Sequence, residues 1–114
     1  MECLFFNKAE FNGNLSRWQV GQVTDMSAMF SGATSFNGDL SGWDVGQVTN
    51  MSSMFMGATT FNGDLSGWDV GQVVYMNGMF QGATSFNHQL GGASWSQSTA
   101  SRTDMFSNSP GSIA

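Results

Sequence analysis

Charge is what this chain has least of. Only 10% of its 114 residues are charged, against about 25% in ordinary soluble domains. Lys8, Arg17 and Arg102 are the only cationic side chains, and the formal net charge is −5. Nucleic-acid binding needs a basic stripe, and none exists here. Docking on anionic lipid needs clustered Lys or Arg, which are also missing. No apolar run approaches the roughly 20 residues of a helical membrane span. Cys3 is the single cysteine, which leaves no internal disulfide and no cysteine-rich zinc site. Met1 to Phe6 lacks the basic segment and cleavage site of a signal peptide. Leu and Ile are scarce, whereas Met (9), Phe (10) and Trp (4) are abundant. The apolar mass is therefore carried by aromatic rings and by the adaptable Met side chain.

What the chain does have is a 25-residue phrase. Phe36-Asn37-Gly38-Asp39-Leu40-Ser41-Gly42-Trp43-Asp44-Val45-Gly46-Gln47-Val48 returns 25 residues later as Phe61 to Val73, and a looser copy runs from Phe11 to Val23. Such a period signals stacked supersecondary units. Phe11, Phe36, Phe61 and Phe86 form one column, Leu15, Leu40, Leu65 and Leu90 a second, and Trp18, Trp43 and Trp68 a third. Met-Phe pairs recur at 29–30, 54–55 and 79–80. Leu4-Phe5 stands 25 residues before Met29-Phe30, so the chain is expected to begin within a repeat, as a portion of a longer protein. The expected organisation is a single repeat domain over 1–114. It comprises a partial repeat (1–10), full repeats at 11–35, 36–60 and 61–85, a divergent cap (86–106) and a frayed tail (107–114). Trp95 arrives two residues late for its column.

Two local patterns alternate within a unit. Trp and Val in Gly42 to Val45 suggest a short strand in a parallel sheet. Met51, Met54, Phe55 and Ala58 follow the 3, 4, 7 spacing of a short helix. Asn50 is placed as its N-cap and Gly57 as its C-terminal stop, with Gly32 and Gly82 equivalent. The fold class read from this is α/β: a short leucine-rich-repeat-like solenoid, with short parallel strands on one side and short helices on the other.

The phrase F-N-x-D-L-S-x-W-D-V-x-x-V-T-x-M-S-x-M-F-x-G-A resembles the BspA-like surface-protein repeats, a leucine-rich-repeat variant. The likeness runs from about Leu4 to Leu90. It implies a right-handed coil with its strands on the concave side. It also implies a protein displayed at a cell surface that binds other proteins or mediates adhesion, and the family carries no catalytic motif.

Residues alternating away from the core would line the concave face: Arg17, Gln19, Asp44 and Asp69 are the candidate partner-binding set. Asn12, Asn37, Asn62 and Asn87 form a column read as a structural ladder, each bonding backbone in its turn. Trp18, Trp43, Trp68, Phe36, Phe61 and Phe86 are read as core. Asp39 and Asp64, with Asp44 and Asp69, gather too few oxygens in the wrong spacing for calcium. His88 and Cys3 stand at opposite ends and assemble no nucleophile–base pair. The expectation is a non-catalytic module without cofactor or metal, with other proteins as partners. The alternative is a scaffolding subunit within a larger assembly, of an organelle for example.

Overall fold

The computed structural model describes residues 1–114 throughout. Regular secondary structure is confined to the last quarter. It comprises β1 (Gln89–Leu90), α1 (Ala93–Ser96) and β2 (Ser112–Ile113), with β1 and β2 paired in parallel. No strand forms at Gly42 to Val45, and no helix forms at Met51 to Ala58. The expected leucine-rich-repeat-like α/β solenoid, with its sheet and its row of helices, is therefore not what this sequence builds.

The backbone hydrogen bonds give the reason. In the segment from Met26 to Ala33, alternate N–H groups point in different directions. Those of Met26, Ala28, Phe30 and Gly32 donate to the carbonyls of Asn50, Ser52, Met54 and Met56, one repeat onward, at 2.8–2.9 Å. Those of Met29, Ser31 and Ala33 donate three residues back, to Met26, Ala28 and Phe30. A helix would turn every N–H inward along its own axis, and a strand would turn none inward. This segment divides them, so it runs as a chain of overlapping tight turns. Left-handed residues punctuate it: φ is 53° at Ala28 and 73° at Gly32, then 59° at Ser53 and 69° at Gly57. A left-handed residue every fourth position stops a right-handed helix from propagating. Gly suits such a position because it has no Cβ.

Successive repeats lie in register. Asp25, Asn50, Tyr75 and Ser101 are joined by parallel bridges. Phe30, Phe55, Phe80 and Phe106 stack with ring centroids 5.4–5.5 Å apart and planes within 6°. Phe11, Phe36, Phe61 and Phe86 form a second column at 5.8–6.1 Å. The two columns touch within each layer, as at Phe55–Phe61, 4.2 Å apart. Phe36, Phe61, Phe86, Trp43 and Trp68 are all buried in one contiguous apolar cluster. Each buried indole also has its N–H satisfied. Nε1 of Trp43 donates to the Leu15 carbonyl, and that of Trp68 to the Leu40 carbonyl, each at 2.9 Å. The fourth repeat keeps this bond despite its insertion. Helix α1 takes up the two extra residues, and Trp95 Nε1 donates to Leu65 at 2.9 Å.

The two ends differ from expectation. Trp18, expected in the core with its column, is instead 43% exposed, with Phe5 the one aromatic ring beside it. The tail expected to fray is docked instead: Ser112 and Ile113 pair with Gln89 and Leu90, and Gly111 is buried against the Phe86 ring.

Candidate functional site

The aspartates on this stack mostly serve their own turns. The Asp25 carboxylate accepts the Ser27 N–H at 2.8 Å, and the Asn50 amide oxygen accepts that of Ser52 at 2.9 Å. Asn50 thus closes a local turn where a helix cap was expected. Asn14, Asp39 and Asp64 do the same for the N–H groups of Ser16, Ser41 and Ser66. These bonds shift the carboxylates. The Ser41 hydroxyl, then its N–H, holds Asp39 below the usual range. Asp64 is lowered by the Ser66 N–H, then its hydroxyl, with a smaller attraction from His88. Partial burial pushes Asp25 up, but the Ser27 bonds, the Glu2 hydrogen bond and the N-terminal charge together outweigh it and the net shift is down. Glu2 is raised by its hydrogen bond to Asp25 and then by that residue's charge.

The expected binding row is not a strand face. Arg17, Gln19, Asp44 and Asp69 are exposed, but Arg17 lies in a turn and the other three in irregular backbone. One oxygen each of Asp44 and Asp69 is occupied by the N–H of Gly46 and Gly71 at 3.0 Å. Gln19 and Asp44 line one small hollow with Trp18, Val20, Gly21 and Gly42, whereas Arg17 and Asp69 lie outside it. The asparagine column forms a ladder along the stack. Backbone N–H groups of Asn37, Asn62 and Asn87 donate to the side-chain oxygens of Asn12, Asn37 and Asn62 at 2.9–3.0 Å. Extending the β1–β2 register by two residues sets Pro110 opposite Asn87. A residue without an N–H thus ends the ladder. His88 Nε2 lies 2.9 Å from the Asn62 carbonyl, and Cys3 is exposed in the first layer. No three His, Cys, Asp or Glu side chains gather as metal ligands.

The most distinctive exposed feature belongs to none of the repeating columns. Val74 and Tyr75 are 52% and 51% exposed. They occupy the step held by Thr24-Asp25 and Thr49-Asn50 in the two preceding repeats. Tyr75 cannot close the turn as Asp25 and Asn50 do, and the Asn77 N–H has no partner. The signal was the break in an otherwise faithful Thr-Asp/Asn step, hidden because the Met column beside it stays intact.

Among known proteins, no curated protein and no solved structure matches the chain. The repeat that builds the stack is nonetheless a family signature. Residues 1–112 match the family described as "Mycoplasma protein of unknown function, DUF285", and the chain belongs to that family.

Proposed function

We propose that the chain is a non-catalytic protein-binding module, displayed at a cell surface in the manner of the BspA-like repeats that its sequence resembles. One observation carries this reading. At a solvent-facing step of a nearly invariant scaffold, the third repeat gives up a turn hydrogen bond and presents Val74 and Tyr75 instead. Exposed Tyr is a common anchor of protein interfaces, since its ring buries a large area and its hydroxyl stays hydrogen-bonded. Carboxylates engaged in local turns, and a histidine resting on a backbone carbonyl, support binding over catalysis.

The double variant Val74→Thr/Tyr75→Asn restores the pattern of the preceding repeat and tests the reading. Crosslinking in native extract, followed by mass spectrometry, is expected to show a protein partner with the wild type and a loss of at least tenfold with the variant. Equal capture by both would sink it. Protease treatment of intact cells tests the surface part: the repeat should be cleaved without lysis, and full protection speaks against display.

A further inference from the structure

We infer that Asn37 and Asn62 are self-modifying sites: each converts without an enzyme to aspartate or isoaspartate, through attack by the backbone nitrogen of the glycine that follows it. The asparagine ladder prepares the electrophile. Backbone N–H groups of Asn62 and Asn87 donate to the side-chain oxygens of Asn37 and Asn62 at 2.9 and 3.0 Å. Negative charge develops on that oxygen when the amide carbon is attacked, and a donor already in place stabilises it. Gly38 and Gly63 supply the nucleophile. Neither N–H has a protein acceptor, and Asn37 and Asn62 are exposed on the side of the stack, where water reaches them. Asn12-Gly13 repeats the arrangement one layer earlier. His88 sets the two interior rungs apart. Its Nε2 lies 2.9 Å from the Asn62 carbonyl oxygen, which can only accept, so Nε2 carries the hydrogen. A donor on a peptide carbonyl makes the N–H of the same peptide more acidic, and that N–H belongs to Gly63. No protein donor reaches the Asn37 carbonyl, so Asn62 should react before Asn37.

Asn77-Gly78 is the comparison built into the same chain. Its side-chain oxygen is polarised in the same way, by the Thr103 N–H at 3.0 Å. Its nucleophile is tied up, because the Gly78 N–H donates to the Thr103 carbonyl at 2.8 Å and φ is held at 63°. Thr103 thus clamps both reacting groups, and one backbone hydrogen bond must break before they meet. That cost slows the step by about tenfold. The chemistry needs only water. The glycine nitrogen gives up its proton to hydroxide and bonds to Cγ of the asparagine. The bond from Cγ to Nδ2 breaks, and that nitrogen leaves as ammonia with a proton from water. Water then opens the cyclic imide at one of its two carbonyls, leaving aspartate or isoaspartate. Either product adds one negative charge to a chain of net charge −5. Aspartate can still accept the next layer's N–H. Isoaspartate routes the main chain through Cβ and lengthens it by one atom, which disturbs a stack whose layers pair in register.

The test follows each asparagine separately. The folded chain is incubated at neutral pH in water labelled with heavy oxygen, digested with pepsin in acid, and mapped by mass spectrometry. Label should enter at Asn62 first, then at Asn37, and at Asn77 about tenfold more slowly than at Asn37. In urea the three sites should react at comparable rates, since the Thr103 clamp and the His88 contact are gone. Methylation by an isoaspartyl methyltransferase should mark the Asn62 and Asn37 peptides and spare that of Asn77. Gly38→Ala is a poor probe, because its Cβ would stand 2.8 Å from the Phe36 ring. His88→Gly is the better variant, as it restores the residue of the preceding repeats at positions 38 and 63. It should bring the rate at Asn62 down to that at Asn37 and leave Asn37 unchanged, whereas mere loosening of the fold would raise both. Equal rates at Asn37 and Asn77 in the folded chain, no label at Asn37 and Asn62 while the urea-unfolded chain reacts, or an unchanged Asn62 rate in His88→Gly would each overturn the inference.

Discussion

Tyr75 is the residue whose replacement says most about the turns. Asp25 and Asn50 each accept a backbone N–H two residues on, and the Asn77 N–H lacks that partner. Tyr75→Asn should supply it and raise stability by about 1 kcal/mol, read as a later urea midpoint with an unchanged slope. The left-handed columns give a second residue-scale test. A Cβ at Gly57 would meet no atom closer than 3.9 Å, but φ there is 69°. Gly57→Ala should therefore lose about 1–2 kcal/mol from backbone conformation alone. Ser53→Gly, at φ 59°, should be near neutral, because relief of the strain is offset by a looser unfolded chain. The carboxylates set the acid limb. Asp39 and Asp64 are lowered in the folded state, so their contribution is fully present above the unfolded value near 3.9 and is lost as pH falls through the lower folded values. Asn14 closes the same turn without charge, accepting the Ser16 N–H at 3.0 Å. Asp39→Asn/Asp64→Asn should therefore keep stability near neutral pH and flatten its decline below about pH 4. A thermal-melt series across acid pH measures both slopes.

At the scale of the element, the sequence showed which side chains meet but not the backbone that brings them together. Met51, Met54, Phe55 and Ala58 are all buried, as a 3, 4, 7 spacing demands. Overlapping turns that bring every third or fourth residue to one side satisfy that spacing as well as a helix does. The distinction lies in φ at Ser53 and Ala28, and neither residue type announces a left-handed conformation as Gly57 does. The Trp-x-Val step misled in the same way. Val45 and Trp43 are buried and Asp44 is exposed, as in a strand, yet the N–H of Trp43 turns back to Leu40 at 3.1 Å. Trp95 was legible only as a displaced Trp, because its return to the column depends on α1 absorbing the insertion. The indole bond is the element's weakest point to lose. Trp43→Phe keeps much of the apolar area but removes the indole bond to the Leu15 carbonyl, which still accepts the Trp18 N–H at 3.0 Å, and should cost about 0.5–1.5 kcal/mol. Trp43→Ala should cost about 3–5 kcal/mol, since the cavity between two layers adds to the loss. Equal midpoints for the two variants would mean that the hydrogen bond, not the packing, dominates.

For the whole molecule, stability should be graded along the stack. Each layer is held by its neighbours, so an interior layer opens only when two interfaces break, and an end layer when one does. The ends are also unequal. The last layer has β2 paired beside it, and its Met105 is buried. The first has Leu4 and Phe6 exposed and Trp18 uncovered. Amide hydrogen exchange on dilute monomer should therefore rank the interlayer donors. Phe55 and Gly57, bonded to Met79 and Gln81 at 2.8 Å, should exchange most slowly. Gly78 and Phe80 should follow, and Cys3 and Phe5 should exchange fastest. The hydrogen bonds alone do not predict this order, because Phe5 to Met29 is also 2.8 Å. Only the number of covering layers distinguishes the two. Uniform protection from Phe5 to Phe80 would mean that the stack opens all at once, and the layer-by-layer account of its stability would then fail.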